Sequence, residues 1–304
     1  MDEARLAEYL SAQTAAPVQV LGTRRLHSRY SRVSYAVETS AGRFTVRVEQ
    51  GDAPKASVED ELRLMQWLHE TGFPVARARW TESTGDVLGS PFVVIDDVGV
   101  RRVDERAVDE AAATAFVTTL AKLHSLPIPA HLPPVDVDQA THAQIEHWRS
   151  VAKSVGGPRV PVLEVAEIWL HQNLPLFDRR LALVHGAPRP NRVLVEDGDA
   201  WEMTDWEMAH LGDPAEDWSY SIAMRDMPAN ARQLWQDLYE RVAGFRMAPQ
   251  SWVYWDAYNA YKGACIARAC LFLFESGQDL SPSMAVAGTQ LYHSLLRRLV
   301  AVIG

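Results

Sequence analysis

The chain has 304 residues, with 30 Lys and Arg against 39 Asp and Glu, so its formal net charge is −9. Hydrophobic residues make up 47% and charged residues 23% of the sequence, which excludes intrinsic disorder and collagen-like repeats. This length suggests two lobes at roughly 150 residues each, with a core that needs no disulfides or structural metal. An acidic chain lacks the excess of positive charge that binds nucleic acid or an anionic membrane, so we expect neither as a partner.

The sequence carries no targeting or membrane-spanning signal. Its first residues lack the cationic and apolar regions of a signal peptide. The longest apolar stretch, 264–274, is interrupted by Arg268 and is shorter than the roughly 20 residues that span a bilayer. We therefore expect a cytoplasmic protein without a transmembrane helix.

The first third of the chain predicts strands with one helix among them. Apolar residues alternate over 33–37 and 44–48, which is typical of strands. A helix is predicted to begin at Ser57, with Asp60 three residues later as in a capping box, and to place Glu61 on its inward face. Strands are predicted at 75–81 and 92–96.

The rest of the chain predicts helices, with a few short strands. The predicted helices are 107–126, 139–153, 163–177, 214–225, 229–245, 250–275 and 284–303, and the strands are 181–185, 193–196 and 201–204. The fold class is therefore α+β, with a small β-rich N-lobe over 1–99 and a larger, mostly helical C-lobe over 100–304. Polar clusters at strand ends favour a small-molecule ligand in a cleft between the lobes; the pattern leaves the oligomeric state open.

Two motifs carry most of the functional information. They read LVHGAPRPNRVLV at 183–195 and TDWE at 204–207. They resemble the aminoglycoside phosphotransferase and choline kinase family, which has a protein-kinase-like two-lobe fold. The branch with kinase-like domains associated with acyl-CoA dehydrogenases is the most similar. The family carries His-Gly-Asp, four further residues and Asn, then an Asp-Trp-Glu-like motif, and the resemblance extends over essentially the whole chain.

The resemblance implies roles for residues of the N-lobe. Arg47 looks like the basic residue of the third strand that contacts nucleotide phosphates, and Glu61 looks like its helix partner. Arg32 is assigned to the same cofactor-binding group. Arg47 and Glu61 can equally be a structural ion pair. ATP and magnesium are expected as cofactors only if phosphotransfer activity is retained.

Three departures from the family pattern indicate a degenerate phosphotransfer site. Ala187 stands where the family has its catalytic Asp, and general-base help of this kind is typically worth about 10² to 10⁴ in rate. In a gapless comparison Arg192 replaces the metal-binding Asn; a loop one residue shorter makes Asn191 a metal ligand beside Asp205. The loop at 26–35 lacks the glycines that permit close approach to phosphates, although its basic residues can attract an anion.

The acidic pair Asp205 and Glu207 has three open interpretations. The two carboxylates can form a metal site, or Arg192 can neutralise them and close an unused pocket. Alternatively, Arg192 replaces the charge of the metal and binds a phosphate or carboxylate of the substrate directly. If another reaction takes place here, His185 and Asp205 are the acid and base candidates.

Substrate contacts are predicted at Arg189 and Arg192, and at Trp255 and Tyr258, whose helical spacing is otherwise typical of a core. We therefore expect a small-molecule-binding pseudokinase, or an enzyme repurposed to another reaction. The alternatives are an active ATP-dependent phosphotransferase acting on a small-molecule hydroxyl, an inactivated variant of one, or a regulatory subunit without ligand. Asp213 is expected to cap the helix that follows it, and Asp217 to brace that helix.

Overall fold

The computed structural model describes residues 1–97, 101–102, 110–176, 179–189, 193–196, 200–223, 229–246 and 251–304. Its helices are α1 (Glu3–Thr14), α2 (Val58–Glu70), α3 (Glu110–His124), α4 (Val137–Ser154), α5 (Pro161–Gln172), α6 (Pro214–Ala223), α7 (Ala229–Ala243), α8 (Ser251–Glu275), α9 (Pro282–Val286) and α10 (Tyr292–Ile303). Its strands are β1 (Val20–Ser28), β2 (Arg32–Thr39), β3 (Gly42–Glu49), β4 (Ala78–Glu82), β5 (Phe92–Asp96), β6 (Arg101–Arg102), β7 (Ala182–Val184), β8 (Val193–Glu196), β9 (Ala200–Met203) and β10 (His210–Gly212). The predicted α+β class is confirmed.

The chain forms two compact units. The first unit comprises Met1–Arg101 and Leu194–Glu207, and the second comprises Arg102–Val193 and Met208–Gly304. The first division lies two residues from the predicted lobe limit at 99, whereas 194–207 joins the first unit from a distant part of the chain. The backbone N–H of Met203 donates to the carbonyl of Pro74 at 2.8 Å. The rings of Phe73 and Trp206 meet edge to face at 5.6 Å, so this segment is attached by both hydrogen bonding and packing.

The first unit is built on a five-stranded antiparallel sheet of order β1-β2-β3-β5-β4. Every second residue of the central strands contributes to its core, as expected because successive side chains of a β-strand point to opposite faces of the sheet. Helix α1 covers that core with Leu6 and Leu10, which are fully buried. The prediction of a single helix in this third of the chain was wrong. Helix α1 has only this narrow apolar stripe, and the Asp2 side chain caps it by accepting from the backbone of Arg5 at 3.1 Å.

Helix α2 follows its predicted capping. The Ser57 hydroxyl accepts from the backbone N–H of Asp60 at 3.1 Å, and the Glu61 side chain is buried as the sequence predicted. A buried carboxylate is costly unless it is paired, so its position on the inner face already requires a cationic partner.

The second unit is mostly helical and centres on α8, which packs against α4, α5, α6 and α10. Cys265 and Cys270 are buried free thiols on α8. Helix α5 ends at Gln172, five residues before the predicted end at 177. Pro175 explains the shorter helix, because proline disfavours helical backbone in the residue before it and donates no hydrogen bond. Strand β10, absent from the prediction, pairs with β7 in register Leu211 to Leu183.

Across the residues placed by the structure, no helix combines the length and the apolar character needed to cross a membrane.

Candidate functional site

Arg47 is the central cation of the first unit. It lies on β3, opposite Ser34 of β2, and its Nη1 donates to Glu61 Oε1 of α2 at 2.5 Å. Its Nη2 forms a second ion pair with Glu207. Burial disfavours the guanidinium charge, but the carboxylates of Glu207 and Glu61 outweigh this effect and raise the pKa of Arg47. The forked side chain therefore joins the sheet to helix α2 and to the turn after β9.

Asp205 is buried two residues after the end of β9, with a backbone φ of +70°. This left-handed conformation costs a residue with a side chain of order 1–3 kcal/mol and persists only where surrounding contacts impose it. Two guanidinium groups and one imidazole surround the carboxylate. His27 Nε2 lies 3.4 Å from Oδ1, Arg29 Nη2 lies 3.3 Å from Oδ2, and Arg47 Nη2 lies 3.9 Å from Oδ1.

Arg32 is fully buried beside this group. Its Nη2 donates to the carbonyl of Ala56 at 2.7 Å. Its Nε lies 3.4 Å from Glu61 Oε2, and its Nη1 lies 3.3 Å from Glu49 Oε1. These contacts fix the backbone that leads into α2. The structure thus brings together Arg32, Arg47, Glu61 and Asp205, which the sequence had assigned to cofactor and metal binding; those roles stay predictions.

In the second unit, the Asp217 carboxylate holds the loop that contains His185. Its Oδ2 accepts from the backbone N–H of His185 at 2.6 Å, and its Oδ1 accepts from that of Gly186 at 2.7 Å. The side chain of His124 adds an ion pair at 3.1 Å. Burial opposes the negative charge, but the hydrogen bond and charge of His124 outweigh it and lower the pKa of Asp217. Asp217 lies within α6 and braces the loop as well as the helix.

The same loop depends on a glycine. Gly186 has a φ of +82°, and a Cβ built there would lie 2.4 Å from the carbonyl oxygen of Met208. The His185 ring is fully buried, and its Nδ1 accepts from the backbone N–H of Ala187 at 3.3 Å. His185 therefore stabilises the loop conformation; its acid or base role stays a prediction. Asp213 accepts from the backbone N–H of Ala215 at 2.9 Å and caps α6, as expected.

Lys262 of α8 supports the loop from inside the unit. Its Nζ is fully buried and donates to the carbonyl of Gly186 at 2.6 Å and to Glu216 Oε1 at 2.7 Å. The other carboxylate oxygen of Glu216 lies 3.1 Å from His210 Nε2. Burial disfavours both charged forms, but the attraction outweighs it, so the pKa of Glu216 is lowered, chiefly by Lys262, and that of His210 is raised.

The predicted substrate contacts that the structure describes lie close to Lys262, whose Nζ is 5.0 Å from the centre of the Tyr220 ring and 5.3 Å from that of the Tyr258 ring. Arg189 donates to the Tyr220 hydroxyl at 2.9 Å, and its guanidinium lies 5.2 Å from the centre of that ring. Trp255 and Tyr258 are buried in the core, where the Tyr258 hydroxyl accepts from Trp148 Nε1 at 3.2 Å. Their role in substrate binding stays a prediction. Asn191 and Arg192 lie outside the described residues.

With this geometry established, comparison with known proteins identifies the family. The profile described as phosphotransferase enzyme family matches residues 22–254. The chain belongs to this family. It shares 23% identity over 312 residues with acyl-CoA dehydrogenase family member 11 of Pongo abelii, covering 92% of this chain and 40% of that protein. The chain thus spans less than half the length of that relative.

Solved structures share the fold of the chain at low identity. Choline kinase LicA from Streptococcus pneumoniae has a TM-score of 0.72 and 12% identity, with 98% of this chain and 99% of that chain covered. LicA in complex with AMP has the same TM-score, 13% identity, and coverage of 99% and 98%. At this identity the similarity establishes the fold alone.

Sequence reasoning about this family member missed two functional arrangements. His27 and Arg29 were expected to attract an anion, and the anion they contact in the structure is the Asp205 carboxylate. Neither Lys262 nor Glu216 is among the site residues predicted from the sequence. A lysine on the buried face of an apolar helix is a signal in itself, because an unpaired buried charge is rarely tolerated.

Proposed function

We propose that this member of the phosphotransferase family binds a small molecule and that its phosphotransfer site is degenerate. The observation that carries the proposal is the state of Asp205, the expected metal ligand. Its carboxylate is buried, and its two oxygens lie within 3.4 Å of His27 and 3.3 Å of Arg29. Side chains of the protein itself therefore supply the positive charge that a metal would otherwise bring.

The set of donors around Asp205 does not fit a bound magnesium ion. Magnesium requires oxygen ligands in near-octahedral geometry and retains several waters. Around Asp205, nitrogen donors from His27, Arg29 and Arg47 occupy this space, and Glu207 is paired with Arg47. A guanidinium cannot ligate a cation, so no step of the proposed function passes through magnesium.

The catalytic loop supports the same conclusion independently. Ala187 is a buried methyl side chain in the loop held by Asp217 and Lys262. A methyl group can neither accept the proton of a hydroxyl nor orient that hydroxyl, and such base assistance is typically worth about 10² to 10⁴ in rate. The loop is therefore preserved as a rigid scaffold without the group that activates an acceptor.

A second candidate function is active ATP-dependent phosphotransfer to a small-molecule hydroxyl. One observation favours it: the ion pair between Arg47 and Glu61, at 2.5 Å, corresponds to the pair expected to position nucleotide phosphates. LicA, of the same fold, has been solved in complex with AMP. If Arg47 releases Glu207, its guanidinium can bind a phosphate directly.

The thermal unfolding midpoint with ATP, with and without magnesium, distinguishes the two functions. A ligand at a hundred times its dissociation constant stabilises the native state by about 2.7 kcal/mol, which shifts the midpoint by a few degrees in a chain of this size. We expect no magnesium-dependent rise for the unaltered chain. The double variant His27→Ala, Arg29→Ala removes two of the three nitrogen donors around Asp205 and leaves Arg47 at 3.9 Å; it is expected to gain such a rise.

The matched control is Arg24→Ala, which removes an exposed arginine from β1, the strand that carries His27, and is expected to behave like the unaltered chain. A magnesium-dependent rise of several degrees in the unaltered chain, together with acceptor-dependent phosphate release, would establish the active phosphotransferase instead. Strong turnover gained by Ala187→Asp alone would show an intact site inactivated at a single position.

A further inference from the structure

We propose that α4 and α5 of the second unit carry a binding site for a divalent transition metal of the zinc class. The ligands are His171 Nε2 and one carboxylate oxygen each from Glu146 and Glu167. These three ligand atoms all lie within 4.8 Å of one another. The site lies on helices that the proposed function does not use.

The helical spacing explains why these residues converge. Glu146 follows His142 by four residues on α4, and His171 follows Glu167 by four residues on α5. Residues four apart lie on one face of a helix, one turn above each other. Each helix therefore contributes one imidazole and one carboxylate, and packing of α4 against α5 brings the two pairs together.

The distances place His171 at the centre of the group. Its Nε2 lies 3.1 Å from Glu146 Oε1, and its Nδ1 lies 2.7 Å from His142 Nδ1. The two imidazole rings are stacked, with centroids 4.9 Å apart and planes inclined by 18°. A histidine that binds metal through one ring nitrogen commonly donates from the other to a fixed partner, which sets the tautomer and the ring orientation. His142 is placed to accept that proton.

Metal binding requires the Nε2 lone pair of His171 to be free of a proton. His171 Nε2 and Glu146 Oε1 lie 3.1 Å apart, so a proton held between them in the metal-free chain occupies the Nε2 lone pair that a metal needs. The incoming metal forms a bond to Nε2, and that proton leaves to solvent. The His171 side chain is 27% exposed and that of Glu146 42% exposed, so water and the metal reach the site directly.

The charge of the group favours a cation, and one side chain competes with it. Arg149 forms ion pairs with Glu146 and, at 3.1 Å, with Glu167. Without a proton between His171 and Glu146, the two carboxylates exceed the one guanidinium by one negative charge. Metal binding must displace Arg149 from at least one carboxylate, so this arginine limits the affinity.

The types of donor select the class of metal. Zinc binds histidine nitrogen at about 2.0–2.1 Å and carboxylate oxygen at about 2.0–2.2 Å, often with three protein ligands and one open position. Magnesium and calcium prefer oxygen ligands, whereas imidazole suits zinc, cobalt, nickel and copper. One imidazole with two carboxylates and an open fourth position therefore fits zinc, and cobalt serves as its spectroscopic substitute.

The experiment is calorimetric titration of zinc chloride into the untagged, chelator-treated chain of 304 residues, followed by the absorption spectrum with cobalt. We expect one zinc equivalent to bind and a cobalt spectrum typical of four-coordinate geometry. His171→Ala and Glu167→Gln are expected to weaken zinc binding at least tenfold. The matched control is His69→Ala, an exposed histidine at the end of α2, which is expected to leave the affinity unchanged.

Arg149→Gln is expected to change the zinc affinity in the opposite direction from His171→Ala and Glu167→Gln. Removal of the competing guanidinium is expected to tighten zinc binding roughly tenfold, although the variant loses two ion pairs. A variant that merely loosened the fold would not bind metal more tightly. The proposal is overturned if His171→Ala binds zinc like the unaltered chain, if Arg149→Gln weakens binding, or if magnesium competes at equal concentration.

Discussion

Replacement of Lys262 by methionine tests how the loop at 185–187 is held. The ammonium group is fully buried and joins the Gly186 carbonyl, at 2.6 Å, to Glu216 Oε1, at 2.7 Å. Methionine has a similar length but no charge or donor. The substitution therefore removes the ion pair and leaves a buried carbonyl without this donor.

The expected loss in the free energy of unfolding depends on the contacts that Glu216 and the Gly186 carbonyl keep in the variant. Loss of one partner from a buried ion pair typically costs about 3–5 kcal/mol, because the other charge stays buried. In Lys262→Met, His210 still lies 3.1 Å from Glu216 Oε2 and compensates part of that charge, which moves the pair contribution to the lower end. The carbonyl that loses its donor adds about 1–3 kcal/mol. We expect a total loss of about 4 kcal/mol in the free energy of unfolding at neutral pH.

The loss is expected to depend on pH. Lys262 lowers the pKa of both Glu216 and His210 in the unaltered chain, so both values rise in the variant. Below the raised pKa of His210 the imidazolium still neutralises Glu216. As the pH rises through that value the carboxylate is left buried alone, or takes up a proton at a free-energy cost. The variant should therefore lose stability more steeply than the unaltered chain as the solution becomes alkaline.

The assay is urea unfolding followed by circular dichroism at pH 6, 7 and 8, with Glu216→Gln and the double variant completing a thermodynamic cycle. Glu216→Gln with Lys262→Met removes both charges, so the double variant should be more stable than Lys262→Met alone. A loss below about 1 kcal/mol, or a double variant no more stable than the single one, would refute the interpretation of Lys262 as a buried structural cation.

Two further predictions follow from other buried charges. Burial raises the pKa of Asp213 to about 6, above the value near 3.9 of an unfolded chain, so ionisation of Asp213 should remove up to about 3 kcal/mol of stability between pH 4 and 7. Asp213→Asn keeps an acceptor for the cap and should abolish this decline, measured as urea midpoints across that pH range. Arg47→Met removes the cation shared by Glu61 and Glu207 and should cost about 3–5 kcal/mol. Arg47→Lys should lose less, because its single ammonium keeps the charge but not the fork; equal losses in urea unfolding would contradict this account.

Local patterns in the sequence predicted most of the elements of the fold. The alternation in β2 and β3, the Ser57 cap of α2 and the inward position of Glu61 all depend on residues a few positions apart. The pattern did not reveal α1, whose buried contribution consists of Leu6 and Leu10 alone. Two apolar residues alone do not predict a helix; they stabilise α1 because the helix packs on the sheet of the first unit.

The sequence by itself determined the order of the β-rich and helical parts and the family resemblance, and it places Ala187 where the resemblance implies a catalytic Asp. These follow from residue identity and short-range periodicity. Only the tertiary structure decided that His27 and Arg29 contact Asp205, which lies 176 positions beyond Arg29, and that Lys262 joins Glu216 to the loop of His185. A buried charge needs a partner, but the sequence does not say which one: the fold selects it by bringing distant side chains within hydrogen-bonding distance.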